Sequence, residues 1–222
     1  MKTATTRTAG TWNVPALYTD HAGAEVTQLS NDGQTLCMQL RGVDFVSDDF
    51  ESFEPVKPLS PNSDFRTHHG ALCGYSLSCA FGVWVLNRGV LEVGALHANI
   101  EVAAPEDRQP LRLKLSLVCS RGEYEGSGLS GFFELELQSI MAQLAHDLSL
   151  RCCLTCQFSD YSPYGQGLFG GLMCFESIKQ EYLKVDSRQS FWAVHDRFDR
   201  HVQETYLCPA YHPRTPGTGY RG

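Results

Sequence analysis

The stretch Tyr75–Val102, YSLSCAFGVWVLNRGVLEVGALHANIEV, decides the fold. In its first half Tyr75, Leu77, Cys79, Phe81, Val83 and Val85 fall on one side of an alternating run. Period-two alternation of this kind marks a strand with one buried face. Asn87-Arg88-Gly89 reads as a turn. The second half changes phase near Ala95: Leu91 and Val93 precede it, whereas Leu96, Ala98, Ile100 and Val102 follow. A β-bulge that shifts the register is the expected cause. Alternation returns at Leu111–Cys119, with Leu111, Leu113, Leu115 and Leu117 inward and Arg112 and Lys114 outward. The short connections predict that 75–85, 90–102 and 111–119 are neighbouring antiparallel strands.

Working outward towards the N-terminus, Ala24–Leu29 and Gln34–Leu40 flank Ser30-Asn31-Asp32-Gly33, a hairpin signal because Asp-Gly readily takes positive φ. Residues 1–22 are polar and weakly patterned, so a loosely held segment is expected there. Residues 44–66 carry Asp44, Asp48, Asp49, Glu51, Glu54 and Asp64 with Pro55, Pro58 and Pro61. They read as a solvated loop in preference to a cation site.

Towards the C-terminus the period changes. Phe133, Leu137, Ile140, Met141, Leu144 and Leu148 recur at three and four residues, which predicts a helix over 131–146 with Ser130 as N-cap. Residues 176–185 and 187–198 read as two short helices. The expected architecture is α+β. Residues 1–150 form a β-rich antiparallel body, a sandwich or open barrel, with one packed helix. Residues 151–222 form an α-containing, cysteine-rich zinc lobe packed on it.

The 222 residues are 42% apolar and carry a formal charge of -7, which argues against general nucleic-acid binding. The longest apolar run, near Phe81–Leu86, is broken at Asn87 and is far too short to span a bilayer. The first twenty residues lack the apolar run of a secretory signal, so a cytoplasmic location is expected. Nine cysteines in a reducing compartment are core thiols, metal ligands or reactive thiols in preference to a disulfide framework.

The densest chemistry lies in Arg151–Phe175, RCCLTCQFSDYSPYGQGLFGGLMCF. Cys153-Leu154-Thr155-Cys156 places two thiols where a turning backbone points both at one cation, and zinc favours a tetrahedral thiolate set. Cys174 and Cys208 complete a four-ligand set, with His195, His201 and His212 as substitutes for a distant cysteine. Four thiolates leave no open position, so the zinc is expected to be structural, in a module that binds a protein partner or a second copy of itself. Two readings compete with it. Leu148, Leu150, Cys152, Leu154, Cys156 and Phe158 alternate as a core strand would, and the two cysteines of the motif also suit a redox dithiol.

An enzyme is the other class of reading. Asp160, Tyr161 and Tyr164 of the Ser159–Gly165 loop would line a pocket with His69 and Cys73, the latter two as base and nucleophile. Against this, no third orienting group is identifiable. A turn histidine, a buried thiol and a turn-capping Asp160 account for the same residues. Gly165-x-Gly167-x-x-Gly170 matches a dinucleotide fingerprint but lacks the surrounding strand and helix. The end, Arg214–Gly222, RTPGTGYRG, is either a frayed tail or an arm laid over the body with Tyr220 buried.

The segments CLTCQFSDYSPYGQGLFG (153–170), Cys174-Phe175, QETYLCP (203–209) and PGTGYRG (216–222) resemble an uncharacterised bacterial family, a domain of unknown function. The resemblance covers about the C-terminal third and implies no activity. It favours Cys153, Cys156, Cys174 and Cys208 as a set and leaves Cys152 outside it.

Overall fold

The alternating runs pair as their spacing requires. In a computed structural model that describes residues 11–107, 111–162 and 168–217, the chain forms fifteen strands and three short α-helices. The first strands are β1 (Trp12–Asp20), β2 (Gly23–Asn31), β3 (Leu36–Leu40), β4 (Val43–Ser47) and β5 (Glu54–Pro55). A small ribbon, β6 (Thr67–His68) with β7 (Ala71–Leu72), leads into the long hairpin β8 (Tyr75–Asn87) and β9 (Val90–Val102). β10 (Arg112–Cys119), β11 (Gly122–Glu125), α1 (Phe133–Met141) and β12 (Leu148–Leu150) complete the body. The lobe contains β13 (Ser159–Tyr161), β14 (Leu172–Cys174), α2 (Lys179–Tyr182), α3 (Arg188–Trp192) and β15 (Arg200–Val202).

One antiparallel sheet of ten strands runs β11-β10-β9-β8-β1-β2-β3-β4-β5, with β12 also paired to β8. Hydrogen bonding therefore passes through a single open sheet with two edges, where a sandwich would divide it in two. The expected antiparallel neighbours are β8, β9 and β10. No bulge interrupts β9: Gly82 pairs Ala95, Val83 pairs Gly94 and Trp84 pairs Val93 in unbroken register. The phase change has another cause. Leu91 and Val93 stay on the outer face, where they are 46% and 61% exposed, while Leu96, Ala98 and Ile100 point into the core.

Two more expectations need correction. The segment 1–22 is not loose throughout, because β1 lies between β8 and β2 and buries Ala16 and Tyr18. Its outward row includes the apolar Pro15 and Leu17, and that hid the alternation. The acidic stretch 44–66 is not simply a solvated loop. Phe45, Phe50 and Phe53 are fully buried, and Phe50 lies 4.9 Å from Phe169 and 6.2 Å from Phe133, ring to ring.

Helix α1 is shorter than its periodicity, ending at Met141, and it packs on β10 through Phe133, Leu137 and Ile140. Its N-cap is Phe132, without a side-chain cap, in place of Ser130. Ser130 instead donates from its hydroxyl to Glu136, which also accepts from the Gly128 and Ser130 N–H groups and the Ser127 hydroxyl. These donors hold the buried Glu136 carboxyl below its usual range against the opposing effect of burial.

The lobe has a small core of its own: Met173, Phe175, Tyr182, Val185, Phe191 and Val194. Leu168, Phe169, Leu172 and Val202 pack into the main core, so the lobe is seated on the body. The predicted helices 176–185 and 187–198 shrink to α2 and α3 with a 3-10 turn at His195–Arg197. Ser187 caps α3 by accepting the Ser190 N–H. Among the described residues no helix is long and apolar enough to cross a membrane.

Phe133 sits where α1, Phe50 and Phe169 meet. Phe133→Ala should cost about 3–5 kcal/mol in urea unfolding. Val26→Ala, on the exposed outer face of β2, should stay within about 0.5 kcal/mol. A cost below about 1 kcal/mol at Phe133 would contradict this packing.

Candidate functional site

The chain leaves β12 at Leu150 and turns at once, so the alternative of a continuous core strand through Phe158 does not hold. Cys152 is extended, and Cys153–Thr155 form a 3-10 turn. The turn is held internally: the Thr155 hydroxyl donates to the carbonyls of Leu150 and Cys152 at 3.1 Å. It is also held from outside. Cys153 N–H donates to Tyr206 O at 2.6 Å and Leu154 N–H to Glu204 O at 3.0 Å. Further along, Gln157 N–H donates to His212 O and Arg214 N–H to Thr155 O. The Arg214 guanidinium donates to the carbonyls of Cys156 (3.0 Å) and Ser159. The C-terminal arm thus docks on the cysteine turn through His212 and Arg214. Residues 218–222, with Tyr220, lie outside the described residues.

These contacts gather four cysteines. Cys153, Cys156, Cys174 and Cys208 are all buried, Cys208 at the margin. The Cys153 thiol hydrogen-bonds to Cys208, which raises Cys153 and lowers Cys208 to about 6. Burial raises Cys156 and Cys174, the latter to about 11. The charge of Cys208 is felt at both of them, adding to the increase. Three sulfurs accept a backbone N–H from two residues onward: Cys156 from Phe158, Cys174 from Glu176 and Cys208 from Ala210. Amide donors of this kind favour the thiolate over the thiol. As the side chains stand, no three His, Cys, Asp or Glu groups among the described residues are arranged to hold a metal ion. Cys152 is buried beside the Thr155 hydroxyl, and burial raises it to about 11. Of the substitute histidines, His212 is exposed beside Phe158, His195 caps the Trp192 carbonyl, and His201 lies on β15.

The enzyme residues are dispersed. His69 is exposed in the β6–β7 turn at φ 51°, its ring 4.0 Å from that of His68. Cys73 is buried and its charge is felt at Tyr18 and Tyr75 of the body. Asp160 and Tyr161 lie on β13, in a different sheet. Tyr164, Gly165 and Gly167 lie outside the described residues. Asp160 is fully buried, accepting from Tyr161 N–H (2.9 Å) and from the Tyr182 hydroxyl.

Sequence reasoning missed Glu204, four residues before Cys208. It is fully buried, and burial pushes its carboxyl from 4.5 to about 7, against hydrogen bonds from Gly170 N–H (2.7 Å) and the Tyr161 hydroxyl (2.8 Å). Gly170 takes φ 80°, and a Cβ there would stand 2.7 Å from Asp48 O, so glycine is required. Nothing in Gln203-Glu204-Thr205 announces a buried acid, because its partners are remote in sequence.

The match to known families covers this region only in part. A model for a family of unknown function (DUF6304) matches residues 12–159. The chain belongs to that family. The matched segment takes in the body and the cysteine turn and stops at Ser159, short of Cys174 and Cys208. No curated protein and no solved structure matches the chain.

Glu204 gives the site a pH signature. A carboxyl raised in the folded state stabilises fully below its unfolded value near 4.5, and that contribution is lost as pH rises through about 7. The span is on the order of 3 kcal/mol. Glu204→Gln keeps one donor and one acceptor for Tyr161 and Gly170 and cannot ionise. Its stability relative to the unmutated protein should therefore rise between pH 5 and pH 8 in urea unfolding. A difference independent of pH would place the charge elsewhere.

Proposed function

We propose that the protein is a binding module whose C-terminal lobe is closed by a structural zinc centre of Cys153, Cys156, Cys174 and Cys208. The observation that carries this reading is the convergence on Cys208, which hydrogen-bonds to Cys153 and acts electrostatically on Cys156 and Cys174. The amide N–H groups at three of the sulfurs supply the outer hydrogen bonds that thiolate ligands commonly receive. Zinc suits four soft thiolates, and a filled tetrahedron leaves it structural. The proposal requires Cys156 and Cys174 to turn towards Cys208. Reduced thiols of this kind belong in the cytoplasm.

The binding role draws on the outer face of the sheet. Near the tip of the β8–β9 hairpin Leu91 and Val93 are exposed on that face, with Val118 close by on β10. Exposed apolar clusters of this type suit a protein partner or a second copy of the chain.

Elemental analysis of protein purified without chelator tests the centre. One zinc per chain is expected. Cys208→Ser should lose it and loosen the lobe, because the metal ties the cysteine turn to β14 and the arm. Cys152→Ser should keep it. A fully folded, zinc-free protein would overturn the reading. Rapid alkylation of Cys208 at pH 7 in that protein would assign the cluster to thiol reactivity instead.

A further inference from the structure

The docked arm does more than hold the cysteine turn, because it forms one wall of a cleft. The cleft has a volume of about 640 Å³ and lies between the C-terminal end of α1, β12 and residues 211–216. Its apolar walls are Met141 and Leu144 on one side, Leu148, Leu150 and Leu154 at the base, and Pro213 on the arm. Both its volume and its mostly apolar lining are those of a small-molecule site, which typically adds a few placed polar groups.

The polar groups are of one kind. Among the described residues no Asp or Glu lines the cleft, whereas two arginines do, in a chain whose formal charge is -7. Arg214 is committed to the carbonyls of Cys156 and Ser159. Arg151 is different. Its Nη1 donates to the Tyr211 hydroxyl at 3.2 Å, and its guanidinium carbon stands 5.6 Å from the Tyr211 ring centroid. Every ion pair among the described residues is made by other cations. Arg151 is therefore a half-buried positive charge, oriented by Tyr211 at the edge of an apolar cleft, with no carboxylate paired to it among the described residues.

From this geometry we infer that the cleft binds a small amphipathic carboxylate, with its head on Arg151 and its apolar body along Met141, Leu144 and Leu148. The planar guanidinium fork matches a carboxylate in two parallel hydrogen bonds. A single negative head group balances the one arginine that the backbone has not already engaged. The inference is independent of the zinc centre, since hydrogen bonds between backbone groups already hold the arm in place.

Octanoate is the probe, titrated calorimetrically into the full chain at fixed ionic strength, with octylamine as the control of opposite charge. Saturable one-site binding of octanoate and none of octylamine are expected. Arg151→Gln should weaken octanoate by about tenfold or more, the effect of losing a charge-assisted hydrogen bond. Met141→Trp, which narrows the cleft from its half-buried rim, should weaken it without touching the charge. That second variant decides the matter if Arg151→Gln lowers the melting temperature. Octanoate and octylamine binding alike, no saturable octanoate binding, or unchanged affinity in both variants would overturn the inference. Zinc content measured on the same samples separates this outcome from failure of the metal reading.

Discussion

Strand β8 is the constraint on which the rest of the molecule depends. One edge pairs with β9 along all thirteen of its residues. The other edge is shared: Tyr75–Cys79 pair with β1, and Val85–Asn87 pair with β12. Sequence-distant segments at residues 12–20 and 148–150 are thereby fixed on one line. The inward row from Tyr75 to Val85 is the floor of the core, and Phe81 stacks on Trp12 at 4.6 Å between ring centroids. Because β12 is short and ends on β8, the cysteine turn that follows starts from a fixed position.

That anchoring explains how buried acids are tolerated nearby. A carboxylate removed from water must find donors or take up a proton. Glu136 finds four donors in the loop before α1 and stays low. Glu204 accepts from Gly170 N–H and Tyr161, yet is more deeply buried, and burial prevails. The difference between them is one of depth, since both carboxyls receive several donors. Two buried amides, Asn31 and Gln203, bond each other in both directions beside Glu204, so the seam between lobe and sheet is polar but hydrogen-bonded.

The sequence was most legible where a single face is buried. Residues 75–102 and 111–119 declared their pairing because alternation and short turns leave few alternatives. Trp12–Asp20 was not legible, since Leu17 and Val26 face each other across the exposed side and blur the two-residue period. Phe50 and Phe53 were hidden among acids whose polarity described their neighbours, not them. At the site, the turn at Cys153–Cys156 could be read from spacing. Glu204, Arg214 and the Arg151–Tyr211 pair could not, because each depends on the arm folding back over a turn some fifty to sixty residues earlier. No local pattern encodes that return.

Charge balance gives the proposed centre a further physical rationale. Four thiolates packed together repel one another, and protons relieve the repulsion, one of them on the Cys153 thiol that donates to Cys208. A divalent cation with four thiolate ligands leaves an excess of two negative charges. Two arginines face that excess. Arg200 pairs across the strand with Cys174, where it works against the increase, and adds to the lowering of Cys208, while Arg214 works against the increase at Cys156. Both arginines would offset part of that excess, while Glu176 and Asp199 act in the opposite sense at Cys208 and Cys174. Arg214 is engaged with the carbonyls of Cys156 and Ser159, and Arg151 with the hydroxyl of Tyr211.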